Sequence, residues 1–274
     1  SRAYPHTLLD RHECINDVLG GVPIAVTYCP LCDSATIFDR RMGQGDDEVT
    51  LEFGISGLLY NSNVLLYDRT HHALWSQVLL TAVSGPFAGQ PLRYLDGWEI
   101  TTMSQWEQRH PDTTVLTYDT GLQHYPAGLY DERGYPGYFD RPGLMFPVSQ
   151  TDDRLPLKTP VIGIVHGDTT RAYLVSAIDG TWSDALGDNA TLTLRGDGQG
   201  SVEVVDMPEG TQITHTFWYA WFAFHPETAL IGVSAMVVVT ALIGMMSTIF
   251  SSLNERRREM AIFRAMGARP RVIL

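Results

Sequence analysis

Residues 229–250 read ALIGVSAMVVVTALIGMMSTIF, and no charged side chain occurs from Thr228 to Asn254. At a rise of 1.5 Å per residue, about 20 apolar helical residues cross a hydrocarbon core. The run is apolar on every face. It follows the aromatic stretch FWYAWFAF (217–224) and leads directly into Asn254-Glu255-Arg256-Arg257-Arg258. A helix buried in a soluble core is the alternative. The flanks argue against it, because aromatic rings favour the membrane interface and clustered arginines stay on the cytoplasmic side. The expected layout is an extracytoplasmic domain at 1–228, a transmembrane helix at 229–253 and a cytoplasmic segment at 254–274. This places the chain in a bacterial inner (plasma) membrane with its N-terminal domain periplasmic or extracellular. Gly232, Met236, Thr240, Gly244, Thr248 and Ser252 recur at i, i+4 spacing, a stripe of mostly small residues that lets another helix approach closely. Further helices of a bundle or a dimer are therefore expected beside it.

Working outward, the charge divides with the layout. The chain carries −12 in all, and residues 251–274 hold six Arg against two Glu, about +4, which leaves about −16 on the rest. So acidic an outer domain is a poor nucleic-acid binder. With 44% apolar and 18% charged residues the chain folds around a substantial core. It opens at Ser1 without Met or a signal-like stretch and closes at Leu274 within a helical-looking segment, which reads as a fragment at both ends. Three cysteines, Cys14, Cys29 and Cys32, are too few for a disulfide scaffold.

Short runs with strand character, separated by turn signals, fill the outer domain: 24–28, 35–39, 49–53, 64–67, 161–165, 191–195 and 201–205. Helices are expected over Thr102–His110, closed by Pro111, and over Leu8–Leu19. The fold class is therefore α+β and β-rich, followed by the transmembrane α-helix and a short cytoplasmic amphipathic helix. An internal duplication is also legible. Arg2-Ala3-Tyr4, Asp17-Val18-Leu19-Gly20 and Ile24-Ala25-Val26-Thr27 recur, two residues shortened, as Arg171-Ala172-Tyr173, Asp184-Ala185-Leu186-Gly187 and Thr191-Leu192-Thr193-Leu194. VIGIVHGDTT precedes the second copy, so the first is expected to lack its opening strand.

Cys29-Pro30-Leu31-Cys32 has no counterpart in the second copy, nor does His12, and this singles them out. The CxxC loop holds two sulfurs on one side of a tight turn, and three uses fit it. It is half of a soft-metal site for zinc or copper, with His12 as a further ligand. It is a redox pair, with Cys29 attacking and Cys32 resolving. Or it is a plain disulfide in an oxidising compartment. The first gives a binding module, the second a thiol-disulfide oxidoreductase, the third a structural docking domain. The metal reading leads here. Asp10, Glu13 and Asp17 are spaced to share a helical face, His71-His72 read as a solvated loop, and His110 as a helix C-terminal residue. Walker, Rossmann and GxSxG fingerprints are absent.

Two resemblances add to this reading. LNERRREMAIFRAMGARPRVI (253–273) resembles the segment that follows a transmembrane helix in FtsX-like permeases of the MacB/LolC kind of ABC transporter. The resemblance implies a coupling stretch at 255–264, other permease helices and a cytoplasmic ABC ATPase as partners beside the lipid bilayer. HECINDVLGGVPIAVTYCPLCDSATIFDR (12–40), with FGISGLLYNSNVLLYDR, LWSQ, HPDTTVL and FWYAWFAFHPET, resembles domain-of-unknown-function family 3179, typical of secreted or envelope proteins. Its usual motifs read HEIVND and TYCPLCGS. Cys14 thus stands where an apolar residue is usual, and Asp33 stands where Gly is, at some conformational cost.

Overall fold

The computed structural model describes residues 1–119, 121, 127–131, 134–187 and 190–232. The domain is β-rich, as expected, and among the described residues it has three α-helices of seven residues each: α1 (His6–His12), α2 (Met103–Arg109) and α3 (Trp218–Phe224). Residues 1–231 form one compact unit. Its main sheet runs in the order Ala229–Ile231, Thr169–Leu174, Pro160–His166, Thr211–Phe217, Ser34–Asp39, Val22–Cys29, Cys14–Leu19, with Arg93–Tyr94 also on Ser34–Asp39. A four-stranded sheet (Thr81–Ser84, Leu74–Ser76, Asn63–Asp68, Phe53–Tyr60) belongs to the first half. A three-stranded one (Asp179–Gly187, Ala190–Asp197, Val202–Asp206) belongs to the second.

Three expectations need correction. The helix over Leu8–Leu19 stops at His12, and Cys14–Leu19 is a strand. Asn, Asp and β-branched Ile and Val are poor helix formers, and Gly20-Gly21, both at positive φ (59° and 81°), make the two-residue turn that pairs the segment back on Val22–Cys29. Asp10, Glu13 and Asp17 therefore do not share a helical face. The run expected as one strand over 49–53 is split. Val49–Thr50 pairs with Arg41–Met42, and Phe53 opens the next strand. Finally, Ala229–Ile231 is a strand, parallel to Arg171–Tyr173, so the domain reaches three residues beyond the expected boundary at 228. These apolar residues complete the sheet before the chain leaves it. Among the described residues no helix is long and apolar enough to cross a membrane. The rest of the expected transmembrane helix, from residue 233 on, and the segment 254–274 lie outside the described residues.

The two halves repeat the same devices. Asp17 Oδ2 accepts hydrogen bonds from Arg2 and from Tyr4 OH (2.6 Å); Asp184 Oδ2 accepts them from Arg171 (2.5 Å) and from Tyr173 OH (2.7 Å). α2 and α3 end alike. His110 closes α2 at φ −132°, ψ 69°, and His225 closes α3 at φ −131°, ψ 68°. Each imidazole lies against the Trp four residues before it, with ring centroids 3.9 Å apart for Trp106–His110 and 4.1 Å for Trp221–His225. Trp106 Nε1 donates to Thr113 Oγ1 and Trp221 Nε1 to Thr228 Oγ1, both at 2.9 Å. The strand after each Thr then pairs in parallel with the Arg-Ala strand of its own half, Arg2↔Thr114 and Arg171↔Ala229.

Between halves the segments cross over. His215, before α3, bridges Ala35 of the first half, and Ile100, at the corresponding place before α2, bridges Val202 of the second. Ala35 and Val202 themselves correspond, so the exchange is symmetric. Its consequence is that α3 of the second half packs at the tip of the first half's Cys hairpin, which positions the candidate site.

Candidate functional site

The strand Val22–Cys29 turns through Pro30-Leu31-Cys32-Asp33 into Ser34–Asp39. Pro cannot extend the ladder, and Asp33 sits in the left-handed region at φ 50°, the conformational cost expected of a non-glycine there. Its carboxylate accepts the Tyr28 hydroxyl at 2.6 Å, which offsets part of that cost. Cys32 N–H bonds back to Cys29 O at 3.2 Å and closes the turn. In the second half Asp197 stands at the place of Cys29, and Gly198-Gln199-Gly200 replaces the rest of the loop; Asp197 Oδ1 binds the N–H groups of Gln199, Gly200 and Ser201, which hold its carboxyl at about 2.

Both thiols are buried, Cys29 at 1% and Cys32 at 0% exposure, and they form no disulfide. They face one acceptor. Ser62 O lies 3.2 Å from Cys32 Sγ and 3.9 Å from Cys29 Sγ. Ser62 belongs to the Asn61-Ser62 turn, both residues at positive φ (50° and 61°), which joins Phe53–Tyr60 to Asn63–Asp68. A buried amide and hydroxyl network fixes that turn beneath the hairpin. Asn63 Nδ2 donates to Ser34 Oγ and to Gln77 Oε1, both at 2.9 Å, Ser34 Oγ to Gln77 Oε1 at 2.6 Å, and Gln77 Nε2 to Thr27 Oγ1 at 3.1 Å.

From the other side comes α3. Phe217 N–H and Thr216 Oγ1 donate to Cys32 O, at 2.8 and 3.2 Å. The Tyr219 hydroxyl lies 2.8 Å from Leu31 O and 3.3 Å from Cys32 Sγ, with Tyr138 OH 3.5 Å beyond it. The outer cover is the segment around Phe146 and Pro147, whose carbonyls take the Ser62 hydroxyl at 2.7 and 3.3 Å. Asn61 clamps the same place, accepting Ser149 N–H and donating to Ala223 O.

The two thiols are electrostatically unequal. Burial alone pushes both up. At Cys29 this is outweighed by hydrogen bonds from the Cys32 thiol and from the N–H groups of Cys32 and Val64, so its thiol is held below the ordinary value. Cys32, buried and facing Cys29, is raised well above it, although the Tyr219 hydroxyl lies 3.3 Å from its sulfur. Cys29 is thus the more acidic thiol of the pair and Cys32 the less acidic.

His12 ends α1 away from this geometry. Its Nε2 bonds Tyr130 OH at 2.6 Å, the rings lie 5.7 Å apart, and burial lowers its proton affinity. Among the described residues no group of three or more His, Cys, Asp and Glu side chains is placed to hold a metal ion, so Cys29, Cys32 and His12 are not gathered as one ligand set. Cys14 packs against the core that contains both other cysteines, and burial pushes its thiol up to about 12. Sequence reasoning missed Ser62, Asn63, Gln77 and Tyr219; Tyr60-Asn61-Ser62-Asn63 is a turn signal, but nothing local tells which loop such a turn will meet.

A second feature adjoins the hairpin. Glu13 O accepts Tyr28 N–H at 2.8 Å, one residue before Cys29, and Glu13 lines a cleft of about 440 Å³ together with Arg11, His12, Cys14, Asn16, Glu52 and Arg69. Burial, with Asp10 nearby, pushes the Glu13 carboxyl up to about 7.

No curated protein and no solved structure matches the chain. Residues 231–274 match the family described as FtsX-like permease C-terminal, which begins where the compact unit ends. Residues 1–215, most of the chain and all of the Cys hairpin, match Protein of unknown function (DUF3179), and to that family the chain belongs.

Proposed function

We propose that this is a membrane-bound protein whose domain at 1–231 faces the extracytoplasmic side and exchanges thiols and disulfides through Cys29 and Cys32. The single observation that carries the reading is the shared Ser62 carbonyl, which holds two chemically unequal thiols side by side. In the reaction the Cys29 thiolate attacks one sulfur of a substrate disulfide, forming a mixed disulfide and expelling the other sulfur as a thiolate. Cys32 then gives up its proton, attacks Cys29 Sγ and releases the second substrate thiol. Two electrons pass from the dithiol to the substrate, and the protein is left with a 29–32 disulfide. Because both sulfurs are buried, the domain must open locally before a partner reaches Cys29. The FtsX-like segment supports attachment to the bilayer, with other permease helices and a cytoplasmic ABC ATPase as associates.

The test is trapping. Cys32→Ser, which cannot resolve, should accumulate a mixed disulfide at Cys29 with a small aromatic disulfide, while the native chain goes on to the internal disulfide. A dithiol inert to that probe from pH 6 to 9 would overturn the reading. Stoichiometric zinc or copper, retained on purification and lost in Cys29→Ser, would replace it with the metal-binding one.

A further inference from the structure

The cleft beside Glu13 is a feature the thiol chemistry does not use. Its volume, about 440 Å³, falls in the range of small-molecule sites. Charges of both signs line it, Arg11 and Arg69 against Glu13 and Glu52, with Ile55 as an apolar side chain at its wall. The domain's other ion pairs are mostly closed contacts, such as Arg41–Asp39 at 2.5 Å and Arg154–Asp152 at 2.8 Å. Arg69 and Glu52 instead stay 3.8 Å apart and largely exposed, at 60% and 65%.

Two backbone features shape the cleft. The Arg69 guanidinium lies over Gly54, its Nη2 2.7 Å from where a Cβ would stand, and so covers the bare backbone of that strand. Glu13 occupies the left-handed region at φ 57°, and the second half has Gly180 at that place, at φ 76°. A non-glycine residue there is strained. The repeat shows that glycine satisfies the chain geometry, so the glutamate carries something the backbone does not require.

We propose that this cleft binds an amino acid as its zwitterion, the α-carboxylate on the guanidinium groups of Arg11 and Arg69 and the α-ammonium on Glu13 and Glu52. A guanidinium takes a carboxylate through two parallel hydrogen bonds. Two acidic side chains in the same cleft disfavour a phosphate dianion and complete the site for a ligand with one charge of each sign. The side chain of the ligand lies against Ile55.

Calorimetric titration of the full chain in detergent with each of the twenty free L-amino acids tests this. At least one should bind, and its N-acetyl and its amide derivatives, each lacking one charge, should both bind about tenfold or more weakly. Arg69→Gln and Glu13→Gln should each weaken binding by a similar factor with the tryptophan fluorescence unchanged. Cys29→Ser should bind as the native chain does, which separates this proposal from the thiol reading. No binding at about 10 mM ligand, or equal binding of acetate or the N-acetyl derivative, would overturn it.

Discussion

Replacing Glu13 by Gln tests the burial of this carboxyl directly. The group titrates at about 7 in the fold against an ordinary 4.5, and at about 1.4 kcal/mol per pH unit of displacement the charged form is disfavoured by roughly 3 kcal/mol. Part of the side chain still meets solvent, which screens the effect to about 1–2 kcal/mol. The sign follows from linkage. A carboxyl that binds its proton more tightly when folded carries no penalty below pH 4.5, a growing one between 4.5 and 7, and the full one above 7. Gln, neutral throughout, escapes it. Urea unfolding of the full chain, followed by tryptophan fluorescence, should find native and Glu13→Gln equal within about 0.5 kcal/mol at pH 5 and the variant more stable by about 1–2 kcal/mol at pH 8. Glu13→Gly should gain somewhat more, because it also relieves the left-handed backbone. The same difference at both pH values, or a less stable Gln variant at pH 8, would refute the reasoning.

Three further outcomes are expected. Gly163→Ala forces a methyl into the ring of Trp221, which is 1% exposed, and should cost about 3 kcal/mol and several degrees in thermal unfolding; a loss below about 0.5 kcal/mol would mean that the ring moves aside freely. Asp17→Asn and Asp184→Asn remove equivalent charges from equivalent Arg and Tyr partners, so both should destabilise, each by about 1–3 kcal/mol at pH 7; urea midpoints that move in only one variant would contradict the equivalence of the halves. Tyr219→Phe keeps the ring and loses the donor to Cys32, so closure of the 29–32 disulfide should slow about tenfold at pH 7 in stopped-flow fluorescence, and an unchanged rate would remove Tyr219 from the site.

What the sequence determined by itself was whatever rests on local chemistry. β-branched and aromatic runs between turn residues placed most strands, Thr102 and Pro111 bounded α2, and the CxxC spacing put two sulfurs in one turn. The recurrence of Arg-Ala-Tyr and Asp marked the halves, and the Trp-x-x-x-His-Pro-x-Thr motif, visible in the same letters, becomes meaningful only once both copies are seen to make the same bond. The end of α1 at His12 was not legible, because helix and strand compete over Cys14–Leu19 and the pairing with Val22–Cys29, a tertiary term, decides for the strand. The same is true of the site. Ser62 comes from a turn 30 residues after Cys32 and Tyr219 from a helix 187 residues after it. Ser62 meets the thiols through packing within the first half, and Tyr219 only because the second half lends α3 to the first half's Cys hairpin. His12, seventeen residues before Cys29, ends α1, and the fold turns it to Tyr130 instead.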